Sequence, residues 1–126
     1  PYLDQLEFVN KKTQEVIDKL LLESDVPPII IIHSDHGARM GIDDWDNAWK
    51  DEKLVERIFN NFDAYYLPDE KKDLLSEPRT PVNTFRIIFN SYFNGEYDLL
   101  ENSSYYSNPF DKIYQFKDVT DILIKN

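Results

Sequence analysis

The positions Leu3, Leu6, Val9, Thr13, Val16, Ile17, Leu20 and Leu21 recur at spacings of three and four, which predicts a helix from Tyr2 to about Ser24 with one buried face. Glu7 with Lys11 and Glu15 with Lys19 place an acid four residues before a base, each pair worth about 0.2–0.5 kcal/mol. Pro27 and Pro28 end the pattern, because proline has no amide proton and pushes the preceding residue towards extended geometry. Ile29 to Ile32 is then an unbroken β-branched run between Pro-Pro and Gly37. It reads as a strand buried on both faces, the kind found in parallel sheets covered by helices. Polar residues dominate "ARMGIDDWDNAWKDEK", a loop too long for a tight connection. From about Asp51 to Asn61 a short amphipathic helix is expected, with Leu54, Val55, Ile58 and Phe59 inward. Ala64 to Leu67 is a second strand candidate. Thr80 as N-cap, Pro81 at the first helical position and Gly95 beyond the last turn predict a helix from Pro81 to about Phe93. The aromatic and β-branched tail predicts one or two short strands around "KIYQF". The expected class is α/β: a partial, mostly parallel sheet flanked by helices. No internal repeat interrupts it.

Length and charge narrow this picture. A chain of 126 residues supports one domain spanning 1–126. Fourteen Lys and Arg against twenty-four Asp and Glu give a formal charge of −10, which argues against nucleic acid or an anionic membrane surface as partner. Without cysteine, disulfides and thiolate metal sites are excluded, while localisation stays open. The sequence contains no apolar run long enough for a transmembrane segment, and "PYLDQLEF" lacks the regions of a signal peptide. The missing initiating Met suggests an excised piece.

Chemistry concentrates where the isoleucine run ends. In open α/β sheets, ligands collect beyond the carboxyl ends of strands, and Asp35 and His36 fall there. A carboxylate oxygen beside an imidazole nitrogen suits zinc, manganese or iron better than calcium. Gly37 allows a sharp turn. The plainer alternative is a turn in which Asp35 caps backbone amides and His36 is simply exposed.

"YLDQLEFVNKKTQEVIDKLLLESDVPPIIIIHSDHGARMG", followed by "FDAYYLP", "TPVNTFRIIFNSYFNGEYDLL" and "SSYYSNPFDKIYQFKDVTDI", resembles the later part of sulfatase-like proteins of the alkaline phosphatase superfamily, including the phosphoglycerol transferases. The resemblance implies that Ser-Asp-His-Gly delivers Asp35 and His36 to a divalent metal (Mn, Zn or Mg) beside the nucleophile. It implies a C-terminal fragment of an alkaline phosphatase-like fold, from a group whose members are often membrane-anchored with an extracytoplasmic domain. No segment here matches the nucleophile-bearing strand or its acidic ligand, so no catalytic residue is assigned. The missing N-terminal half becomes a required partner, and the isolated chain is expected to be inactive and to hold metal weakly. After His36 no histidine follows, which favours a single-metal arrangement. Arg39 is the candidate contact for a phosphate- or sulfate-ester oxygen, with a surface salt bridge as the alternative.

Other groups carry less. His33 is read as a strand-end histidine, with support of Asp35 as the minor option. Asp43, Asp44 and Asp46 lack the glycine and glutamate of a calcium loop. Trp45 and Trp49 either line a cleft or pin the loop. Tyr92, Phe93, Tyr97, Tyr105 and Tyr106 suit a sugar or lipid head group about as well as plain packing. Asn102-Ser103-Ser104 fits a glycosylation pattern, and Ser103, Ser104 and Ser107 lack a nearby histidine base. The rival reading is a non-catalytic binding or assembly module that keeps the scaffold. Open strand edges point to self-association.

Overall fold

The computed structural model describes residues 2–69, 74–75 and 80–124. Helix α1 spans Tyr2–Glu23 and strand β1 Ile30–His33; a 3₁₀ turn at Ala48–Lys50 leads into α2, Glu52–Phe59, and then β2, Asp63–Tyr66. A second 3₁₀ turn, Pro81–Asn83, runs into α3, Thr84–Tyr92; β3, Tyr105–Asn108, β4, Lys112–Asp118, and α4, Thr120–Ile124, complete the order. The described residues thus mix four α-helices with two two-stranded sheets, β1 with β2 and β3 with β4.

Both strand pairs are antiparallel, whereas the sequence suggests a mostly parallel sheet. The cause lies in the connection between β1 and β2. A parallel crossover needs a helix that carries the chain back to the start of the first strand. Here α2 has eight residues, about 12 Å of helix, and its last turn is fastened beside the carboxyl end of β1, where the Gly37 amide donates to the Ile58 carbonyl at 2.7 Å. The chain therefore starts β2 from that same end, with His33 opposite Asp63 and Ile30 opposite Tyr66. With β2 as its one strand neighbour among the described residues, β1 is half-buried rather than covered on both faces.

The core gathers elsewhere. Val55 and Ile58 of α2, Ala48, Tyr106 of β3 and Val119 form one buried cluster, with Trp45, Trp49, Leu54, Phe59, Ile122 and Leu123 packed against it. The inward face expected of α2 is thus present. Asp51 caps that helix, its carboxylate accepting the Leu54 amide at 3.1 Å. Helix α1 forms where the periodicity predicts, but none of its residues is buried; only Thr13 and Ile17 are half-covered. At the start of α3, the Thr80 hydroxyl donates to Asn102 Oδ1 (3.1 Å) instead of capping the helix. Beyond its end, Asn94 rather than Gly95 takes the left-handed conformation, φ 54°.

Candidate functional site

Three hydrogen bonds hold the exit of β1. The Ser34 amide donates to the Phe62 carbonyl (2.9 Å), Ser34 Oγ accepts the Phe62 amide (2.7 Å), and the Ser34 carbonyl accepts Asn61 Nδ2 (3.3 Å). Gly37 then lies so close to the end of α2 that an added Cβ would run into the Arg57 carbonyl and stand 2.9 Å from those of Ile58 and Asn60. Arg57 Nη2 donates to the Met40 carbonyl at 2.8 Å, fastening the far side of the same loop. Residues 34–40 are thereby clamped at several points, and Asp35 and His36 project from the clamped segment.

The Asp35 side chain is 88% exposed and that of His36 36%, with Asp35 Oδ2 and His36 Nε2 3.5 Å apart. That is too long for a good hydrogen bond. His36 Nδ1 lies 2.7 Å from the carbonyl oxygen of Gly37, which can only accept, so the bond assigns the ring proton to Nδ1. Nε2 is then the ring nitrogen turned towards the Asp35 carboxylate. Metal bonds of about 2.0–2.2 Å in tetrahedral geometry place neighbouring donors roughly 3.4 Å apart. The observed 3.5 Å fits one edge of such a site. A backbone carbonyl holding the non-ligating imidazole nitrogen is the usual support for a metal-bound histidine. Among the described residues no group of three or more His, Asp or Glu converges, so Asp35 and His36 are the two donors at this point.

Arg39 is exposed and lines the same open cleft as Asp35 and His36, together with Lys53 and Arg57. Sequence pattern gave no sign of Lys53 or Arg57 in this role; their i, i+4 spacing puts them on one face of α2, but nothing local ties that face to the loop after β1. His33 pairs with Asp63 across the β1–β2 register, Nδ1 to Oδ1, and so serves the strand pair rather than Asp35.

The other candidates resolve into scaffold. Asp44 accepts the amides of Asp46 and Asn47 at 3.1 and 3.2 Å. Asp46 accepts from Asn108 Nδ2 (2.8 Å) and from Lys112 Nζ, tying the long loop to the β3–β4 hairpin. Lys112, then Asn108, hold the Asp46 carboxyl below the usual carboxylate range, and Asp46 in turn raises Lys112. Trp45 meets Phe110 edge to face at 5.4 Å and its carbonyl accepts the Tyr106 hydroxyl (2.6 Å), while Trp49 stacks beneath Lys50 and Lys117. These tryptophans pin the loop. Burial, with Asp46 and Asp44 nearby, pushes the Tyr106 phenol up. Among the described residues His33 bonds to Asp63 and His36 to the Gly37 carbonyl, and neither histidine hydrogen-bonds to Ser103, Ser104 or Ser107.

Comparison with protein-family models, curated proteins and solved structures yields no match.

Proposed function

We propose that these residues form the C-terminal portion of a metal-dependent phosphate- or sulfate-ester hydrolase or phosphotransferase, a sulfatase-like protein of the alkaline phosphatase superfamily. The observation that carries this reading is the Asp35–His36 pair: two donors 3.5 Å apart, at the carboxyl end of a strand, with the imidazole oriented by the Gly37 carbonyl. Asp35 supplies an anionic oxygen and His36 a neutral nitrogen, a donor set suited to Zn or Mn. When bound, such an ion offers Lewis-acid neutralisation of the ester's non-bridging oxygens. Arg39, on the rim of the same cleft, contacts one of those oxygens through its guanidinium. The nucleophile, the remaining ligands and the other strands of a mostly parallel sheet come from upstream sequence, and the 126 residues alone do not turn over substrate.

The test is to express the chain with the sequence that precedes it in its gene and assay aryl phosphate and aryl sulfate hydrolysis with Mn²⁺, Zn²⁺ or Mg²⁺. Asp35→Asn and His36→Gln should each lower kcat/KM by about a hundredfold without lowering thermal stability. Arg39→Ala should raise KM more than it lowers kcat. An upstream region lacking an acidic ligand and a hydroxyl or thiol nucleophile would instead favour a non-catalytic binding or assembly module. One observation supports that second reading: α1 exposes Leu3, Leu6, Phe8, Val9, Val16 and Leu20 along 22 residues, surface suited to association rather than to chemistry.

A further inference from the structure

The folded chain exposes more surface than its mass warrants. A monomer of 15.0 kDa is expected to expose about 7,000 Å². This chain exposes 9870 Å², an excess of roughly 2,800 Å². A stable dimer buries only about 800 Å² on each partner, so the excess is more than sufficient.

Part of that surface, at α1 and β1, has a defined shape. The bond from the Ser34 amide to Phe62 puts Ser34 in the hydrogen-bonded set of the β1–β2 ladder, and alternation adds Ile32 and Ile30. Ile31 and His33 therefore aim their backbone N–H and C=O groups at the opposite edge, where no described strand lies. Over that strand α1 forms an apolar groove of about 450 Å³, whose walls include Phe8, Val9, Val16 and Ile30–Ile32. Phe8, Val9 and Val16 remain 62%, 54% and 58% exposed. Within Ile29–Ile32 there is no proline, charge or bulge of the kind that blocks edge pairing.

We infer that the free edge of β1 pairs antiparallel with the same edge of a second copy, extending the sheet to the order β2–β1–β1–β2 beneath two α1 helices. The run Ile29–Ile32 reads identically in both directions, so a two-fold axis sets isoleucine against isoleucine. With the axis at Ile31, Ile30 faces Ile32 of the second copy and Ile29 faces its His33, forming about six backbone hydrogen bonds. Each copy carries −10, and this repulsion acts against the apolar contact, so association strengthens as salt screens it. Upstream strands of the proposed parent would compete for the same edge; the inference concerns the 126-residue chain and does not rest on the metal reading.

Sedimentation velocity over a range of protein concentrations, at low and high salt, tests it together with amide hydrogen exchange. The expected result is a reversible monomer–dimer equilibrium tightened by salt, with the Ile31 and His33 amides protected in proportion to the dimer present. Ile31→Pro removes a free-edge donor without touching the β1–β2 ladder and should leave the chain monomeric. Val16→Lys, at an exposed position that folding does not require, should weaken the dimer by about tenfold or more. A chain that stays monomeric, a dimer in which the Ile31 and His33 amides exchange freely, or one that Val16→Lys does not weaken would each overturn the inference.

Discussion

Gly37 shows how little room the loop after β1 has. An alanine there would drive its methyl into the backbone carbonyls at the end of α2, none of which can rotate away. Gly37→Ala should lower unfolding free energy by about 1–3 kcal/mol, read by urea denaturation, and should displace the Asp35–His36 segment. Asp35→Asn should change stability by less than about 0.5 kcal/mol, since the side chain is 88% exposed. That contrast separates the residue that builds the loop from the one the loop presents. That Asp35 and His36 project just beyond a strand was legible, because an apolar run followed at once by polar side chains is a local signal. Ser34, Asn61 and Arg57 were not, because each acts on a partner 17 to 28 residues away in sequence.

At the scale of elements, two ties hold the loops to the helices and the hairpin. Buried Asn83 holds the amide of Leu100 (2.9 Å) and its carbonyl (2.7 Å), fixing the chain beyond α3 much as a strand partner would. Asn83→Ala should cost about 1–3 kcal/mol in thermal or chemical unfolding. The second tie is Asp46 to Lys112, and its pH dependence has a definite sign. Asp46 titrates lower when folded, as does Asp118, whose carboxylate accepts from Thr120; both contribute stability above their unfolded range near pH 4 that is lost as pH falls through the folded values. Lys112 and Tyr106 titrate higher when folded, so their contributions are complete below about pH 10 and are lost as pH rises beyond it. Denaturation midpoints measured against pH should fall at both extremes, and Asp46→Asn should shrink both the acid and the alkaline losses. Helices α1, α2 and α3 and strands β1, β2 and β4 all lie where periodicity and breakers put them, within a few residues. Strand direction was not legible, because it depends on where α2 is anchored rather than on any property of the isoleucines.

For the whole molecule, charge and exposed apolar surface pull in opposite directions. The −10 charge keeps copies apart at low salt, while α1 and the free edge of β1 offer apolar area that the chain's own core leaves uncovered. Composition announced the first; the second depends on how much of a regular amphipathic helix finds a surface to cover it. The functional reading depends on one small feature of this molecule, the pairing of Asp35 with His36. Manganese titration of the isotopically labelled chain followed by NMR tests it most directly, because paramagnetic broadening detects even a weakly held ion. The amides of Asp35, His36 and Gly37 should broaden first at substoichiometric Mn²⁺, and Asp35→Asn should abolish that selectivity. Broadening centred on Asp43 and Asp44, or a pattern unchanged by Asp35→Asn, would contradict the metal-ligand assignment.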